Sequence, residues 1–144
     1  MGYFDIYNSY GLDRPEKERP YYHMNCAEIL LRTANDEYDL GLDESAFQMM
    51  IGFGSGFYSG KTCGSFVGAL AALSRRYSEE RPSKQEKVKK GAKLLADAFV
   101  KEFGSMDCAD IKHLYPDCTP IKKKTFELLQ EVFAILDKEK ESEE

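Results

Sequence analysis

The sequence predicts an all-α fold, a single-domain irregular bundle of about five or six helices with a glycine-rich loop. Helix-capping residues stand immediately before segments whose apolar residues recur every three or four positions. Glycine or proline closes most of those segments. No stretch carries the period-two, β-branched alternation of a strand. At 144 residues the chain has the length of one domain, enough to bury roughly two-thirds of its unfolded surface.

Residues 1–20 are polar, hold Pro15 and Pro20 and lack sustained periodicity, so they read as an N-terminal arm. The first helix is expected over 25–38, where Asn25 and Glu28 form a capping-box pair ahead of Ala27, Leu30, Leu31 and Ala34. Gly41 ends that region. Asp43 caps a second, short helix whose face carries Ala46, Phe47, Met50 and Ile51, with Gly52 as its stop. The glycine loop follows. From Thr62 the residues turn small and apolar through Ser65, Phe66, Ala69, Leu70 and Leu73, which suits a buried third helix ending before Pro82.

Ser83 and Glu86 form another capping box, and Val88, Ala92, Leu95, Ala98, Phe99 and Phe103 make a stripe that Gly104 terminates. A short helical turn begins at Asp107. The last long helix starts at Thr119 with Pro120 at its first position and buries Ile121, Leu128, Leu129, Val132, Phe133 and Leu136. The charged residues 138–144 form a solvated tail, which leaves 21–137 as the helical domain.

Composition excludes several function classes. With 25 acidic against 20 basic residues, the net field repels nucleic acid and anionic membrane surfaces. The longest apolar run, 66–73, falls far short of the roughly 18 residues of a membrane span, and no basic, apolar leader opens the chain. A cytoplasmic protein without membrane insertion is expected. In a reducing compartment its four cysteines are free, metal-bound or catalytic rather than a disulfide framework.

The stretch GFGSGFYSGKTCGSFVG, residues 52–68, holds Gly60-Lys61-Thr62, the close of a phosphate-binding loop. Such a loop needs a glycine five positions before its Gly-Lys, between a strand and a helix. Ser55 stands there, flanked by Gly54 and Gly56, and a helix rather than a strand precedes it. The nucleotide reading therefore fails on spacing and on context. Gly60, Gly64 and Gly68 recur every fourth residue, clearing a face for the close approach of a second helix or a cofactor.

Cys26, Cys63, Cys108 and Cys118 show no CxxC spacing, but each adjoins a residue able to cap a helix: Asn25, Thr62, Asp107 and Thr119. A helix N-terminus favours an anion by roughly 0.3–1 kcal/mol and so favours thiolate over thiol. The alternative for each is a small buried hydrophobe.

The order Asn-Cys-Ala-Glu at 25–28, a glycine-rich loop leading to Cys-Gly-Ser-Phe-Val-Gly at 63–68, and then two more cysteines resembles the redox-active family named for its C_GCAxxG_C_C pattern. The resemblance covers about residues 22–118 and all four cysteines match. One departure is visible, since the alanine of CGAxxG is Ser65 here. The resemblance implies redox work without specifying a reaction.

Two chemistries follow from it. The four thiolates converge on an iron–sulfur cluster or one metal ion, with helix-end and glycine N–H groups donating to the sulfurs. Otherwise cysteine pairs cycle between dithiol and disulfide, with Cys63 as nucleophile, Cys26 its partner, and Cys108 with Cys118 the second pair. A third reading, from another class, is a non-catalytic helical module with structural zinc or packed cysteines. Any redox partner is unidentified, and Tyr21 and Tyr22 beside the arm either fold back or cross to a second subunit in a homo-oligomer.

His23 and His113 are secondary ligand candidates, and Phe53, Phe57 and Tyr58 could shield a redox centre from water. Lys61 could lower the pKa of Cys63. Lys84, Lys87, Lys89, Lys90 and Lys93, and the run Lys122 to Lys124, read as solvated helix faces.

Overall fold

The computed structural model describes residues 2–80 and 84–143, and among them seven α-helices enclose one core: α1 (Tyr3–Asn8), α2 (Cys26–Tyr38), α3 (Glu44–Gln48), α4 (Gly64–Tyr77), α5 (Glu86–Phe103), α6 (Cys108–Ile111) and α7 (Thr119–Glu143). The described residues contain no strand, only an isolated antiparallel bridge between Thr62 and Asp107. The all-α expectation is met.

Capping sets several helix starts. Asn25 accepts a hydrogen bond from the Glu28 N–H at 2.8 Å, and its amide donates to the Met50 and Ile51 carbonyls at 3.1 and 3.0 Å. One side chain thus starts α2 and ties it to the segment after α3. Asp43 caps α3 by accepting from the Ser45 N–H at 3.0 Å. Gly104 closes α5 in the left-handed conformation, with φ 81°.

The main packing contact is between α2 and α4, with α5 and α7 completing the bundle. It is close because of Gly68, where a Cβ would stand 2.9 Å from the Ala27 carbonyl carbon and nearer still to its oxygen. Around it the core holds Ile29, Leu30, Leu73, Leu95, Phe99, Leu129, Phe133 and Leu136, all nearly fully buried. Each such side chain contributes roughly 1.5–3 kcal/mol by leaving water. Phe99 meets Phe66 and Phe103 with ring centroids 5.4 and 4.7 Å apart, and Phe133 stands edge-on to Tyr38 at 4.8 Å. Arg76 covers that second cluster, its guanidinium over Tyr38, Tyr77 and Phe133 and paired with Asp137 at 3.0 Å.

The structure departs from the sequence reading at several element ends. The arm contains α1, which docks on α2 through a hydrogen bond from the Tyr7 hydroxyl to Asp36 and on α7 through Asn8 Nδ2 to Thr119 Oγ1 at 3.2 Å. Six residues are too few to display a period, so a tertiary contact holds this helix. The arm folds back on its own chain, with Arg14 over the Tyr22 ring at 3.5 Å, while Tyr21 is exposed. Helix α2 closes at Asp39, left-handed at φ 52°, before Gly41 is reached. Helix α3 stops at Gln48, and a 3₁₀ turn over Ile51–Phe53 takes the rest of the expected segment. Ser83, proposed to cap α5, lies outside the described residues. Charged residues 138–143 continue α7.

Candidate functional site

All four cysteines stand at helix starts. Cys26 is the first residue of α2 and Cys108 of α6, while Cys63 and Cys118 immediately precede α4 and α7. The bridge at Thr62 and Asp107 brings two of them side by side: the Cys63 N–H donates to the Met106 carbonyl at 2.8 Å and the Cys108 N–H donates to the Lys61 carbonyl at 2.6 Å. Both chains then turn into helices next to each other. Gly64 brings α2 alongside, because a Cβ there would overlap Cys26 Sγ and stand 2.7 Å from the Phe53 carbonyl oxygen.

The turn before Cys63 is left-handed. Ser55, Gly56, Phe57 and Tyr58 have φ of 47°, 62°, 62° and 55°. For each non-glycine residue that geometry costs roughly 1–2 kcal/mol. Bonds from the Tyr58 N–H to the Gly54 carbonyl at 2.9 Å and from the Lys61 N–H to the Gly56 carbonyl at 2.9 Å hold it closed. Gly56 is needed there, since a Cβ would lie 2.5 Å from Lys61 N and 2.8 Å from Cys108 Cβ. The turn reverses the chain so that residues 61–63 run beside 106–108.

Cys26, Cys63, Cys108 and Cys118 line a single cavity of about 100 Å³, together with Ser55, Ser65, Ile111, Lys112 and Ile121. Cys63, Ser65, Ile111 and Ile121 are buried at its inner end, whereas Cys118, Lys112 and Ser55 are exposed at its mouth. The volume is well above the ~10–15 Å³ that one water needs. Among the described residues no group of three or more His, Cys, Asp or Glu side chains could hold a metal ion. The thiols ring a space rather than meet at a point.

Burial outweighs the helix ends in setting the thiol pKa values. It pushes Cys63 up to about 11, with charge on Cys26 adding to the effect, while the Ser65 and Phe66 N–H groups at the start of α4 and, least, the Ser65 hydroxyl pull the other way. Burial likewise raises Cys108 and Cys118, with Cys26 contributing to both. Cys26 is thus close enough to influence each of the other three. Lys112 and Lys122 oppose the rise at Cys118. Helix starts alone therefore do not make these thiols thiolates, and the sequence expectation on that point is corrected.

Two polar residues beside the cavity are largely covered, and the Ser65 hydroxyl has no hydrogen-bond partner among the described residues. Ser65 is 1% exposed and its Oγ faces the Cys63 sulfur without reaching hydrogen-bond geometry. Lys122, expected on a solvated face, is 7% exposed and has no ion pair among the described residues. Burial lowers its pKa, while charge on Cys26, Cys118 and Asp117 would raise it. Both residues were missed as site residues in the sequence. For Lys122 the signal was its register with the apolar stripe through Thr125, Leu129 and Phe133, and for Ser65 it was the departure from alanine.

The remaining candidates are placed elsewhere. His23 and His113 are exposed and line no part of this cavity. Phe57 and Tyr58 are 40% and 64% exposed, and Phe53 packs edge-on to Phe57 at 5.8 Å rather than over the thiols. Lys61 is exposed and serves through its carbonyl. Gly60 lies in the loop with φ 71°, against Ala109, so Gly64 and Gly68 alone clear the α4 face. Lys90 and Lys93 pair with Glu139 and Asp97, as a solvated face requires.

A family model described as "Putative redox-active protein (C_GCAxxG_C_C)" matches residues 24–137, and the chain belongs to that family. No curated protein and no solved structure matches it.

Proposed function

We propose that this member of the C_GCAxxG_C_C family is an electron carrier in which Cys26, Cys63, Cys108 and Cys118 hold an iron–sulfur cluster. The observation that carries the reading is the convergence of four thiols, from four separate helix starts, on one cavity. Four thiolates are the donor set of such clusters, and a cluster is an extended group. A ring of thiols around about 100 Å³ suits it better than a single zinc, which draws four sulfurs to about 2.3 Å from one point. When bound, the cluster supplies one-electron transfer.

The chain's own residues do the rest. N–H groups of Ser65 and Phe66 face the Cys63 sulfur, and Lys112 and Lys122 offset negative charge at Cys118. Ile111 and Ile121 keep the inner wall apolar. Gly64 lets Cys26 approach α4, while Gly60 and Gly68 set the loop and the helix pair behind it.

The dithiol–disulfide cycle is the second reading, favoured by the exposed Cys118. The proposed nucleophile weighs against it, since Cys63 is buried with a pKa near 11 and attack requires an accessible thiolate. Anaerobic purification with iron, zinc, acid-labile sulfide and thiol analysis tests both. Brown protein with iron and sulfide in equal amounts is expected. Colourless protein whose thiol count falls reversibly on mild oxidation would replace the cluster with the disulfide cycle, and one redox-inert zinc per chain would remove both.

A further inference from the structure

Ser65 is the second residue of α4 and is 1% exposed, yet its hydroxyl has no hydrogen-bond partner among the described residues. Among the described residues the other buried hydroxyls, Thr33 and Thr125, are satisfied within their own helix. Thr33 Oγ1 donates to the Ile29 carbonyl at 2.7 Å and Thr125 Oγ1 to the Ile121 carbonyl at 2.6 Å, each four residues back. Ser65 does not take that route. Four residues back is Lys61, whose carbonyl lies in the loop and accepts from the Cys108 N–H at 2.6 Å. The hydroxyl instead lines the four-thiol cavity.

A buried hydroxyl without a partner is disfavoured, and what remains within its reach is whatever occupies the cavity. The described wall offers it the Cys63 sulfur, and the alanine of the family pattern would offer no donor at all. We propose that Ser65 is a positioning residue that donates its O–H to sulfur of the bound cluster, at the Cys63 thiolate or the sulfide beside it, and so raises the cluster's reduction potential. This rests on the cluster reading above. The physical reason is charge: one added electron makes the sulfurs more negative, so a donor fixed on them favours the reduced state.

The test uses the full chain and its Ser65→Ala and Ser65→Thr variants, purified anaerobically, with dye-mediated reduction by dithionite. Iron and sulfide content are measured first, and equal loading of the three proteins is expected. Ser65→Ala should then shift the one-electron equilibrium about tenfold toward the oxidised state, which is 59 mV for one electron. Ser65→Thr, which keeps the hydroxyl, should stay near the parent. An unchanged potential in equally loaded Ser65→Ala overturns the proposal and leaves the cluster reading standing. Absence of iron and sulfide from the parent overturns the cluster reading and this inference with it.

Discussion

Gly68→Ala probes the contact on which the bundle and the site both depend. Gly68 is buried in α4 and does not have a left-handed backbone, so alanine is conformationally allowed and gains about 1 kcal/mol of helix propensity. Against that gain stands geometry. The new Cβ would lie 2.9 Å from the Ala27 carbonyl carbon and 3.0 Å from its Cα, with the oxygen closer still. These are backbone atoms of the first turn of α2 and cannot rotate away. Overpacking of this kind typically costs about 1–3 kcal/mol, and more where nothing can yield, so the expected net loss is about 2 kcal/mol. For a chain of this size that is a fall of about 4–8 °C in Tm.

Urea and thermal unfolding of the reduced, metal-stripped chain, followed by far-UV circular dichroism, measures it. Gly52→Ala is the control, because a Cβ there meets nothing within 4 Å, and it should be neutral or gain up to about 1 kcal/mol. Gly68→Ala as stable as the parent would show that α2 and α4 do not pack at the described separation.

Asn25→Ala should cost about 2 kcal/mol in urea unfolding, because the N-cap and two bonds to the Met50 and Ile51 carbonyls are lost together. Asn25→Asp, which keeps the cap acceptor, should recover about half of that. The reduced, stripped chain should lose about 2–3 kcal/mol between pH 9 and 11 from Cys63 alone, since its folded pKa of about 11 lies above the unfolded value near 9. The folded state then holds the proton more tightly, so stability is full below pH 9 and falls as pH rises; urea midpoints of Cys63→Ala should show a shallower fall. Lys122→Met should change the stability of the stripped chain by less than about 1 kcal/mol, since the desolvation it relieves is offset by loss of the attraction to Asp117. The same change should weaken retention of iron during chelator challenge.

What was legible in the sequence was local chemistry. Asn25, Asp43 and Gly104 mark helix ends because each satisfies backbone groups within a few residues, whereas at the start of α7 it is Asp117, not the expected Thr119, that accepts a backbone N–H. All four cysteines stand at helix starts as expected, although of the cap residues expected beside them Asn25 makes its side-chain bond while Asp107 makes none and Cys63 itself takes the cap position of α4. What was not legible depends on distant partners. Helix α1 is held by Asp36 and Thr119, far along the chain. Lys122 reads as one of three surface lysines until α7 is rotated into place, when it falls in register with Thr125 and Leu129 and is covered. The thiol pKa values went astray for a related reason: helix ends can be counted in a sequence, whereas desolvation by Ile111, Ile121 and neighbouring thiols exists only after folding.

The costs concentrated around the cavity share one sign. Three thiols are held protonated by burial, Ser65 keeps a donor without an acceptor, Lys122 keeps a cation without a described ion pair, and the turn at 55–58 holds three non-glycine residues left-handed. A core evolved only for packing would remove such groups, because an apolar residue in place of an unpartnered polar one is commonly stabilising. An anionic, sulfur-rich group in the cavity would relieve three of the four at once, turning thiols into thiolates, giving the hydroxyl an acceptor and giving the ammonium a counter-charge. It would also tie together α2, α4, α6 and α7, whose starts lie far apart in sequence, so its binding energy would appear as folding stability. The left-handed turn is not relieved by any ligand; its cost is the geometric condition for setting Cys63 beside Cys108, and it is borne whether the cavity is filled or not.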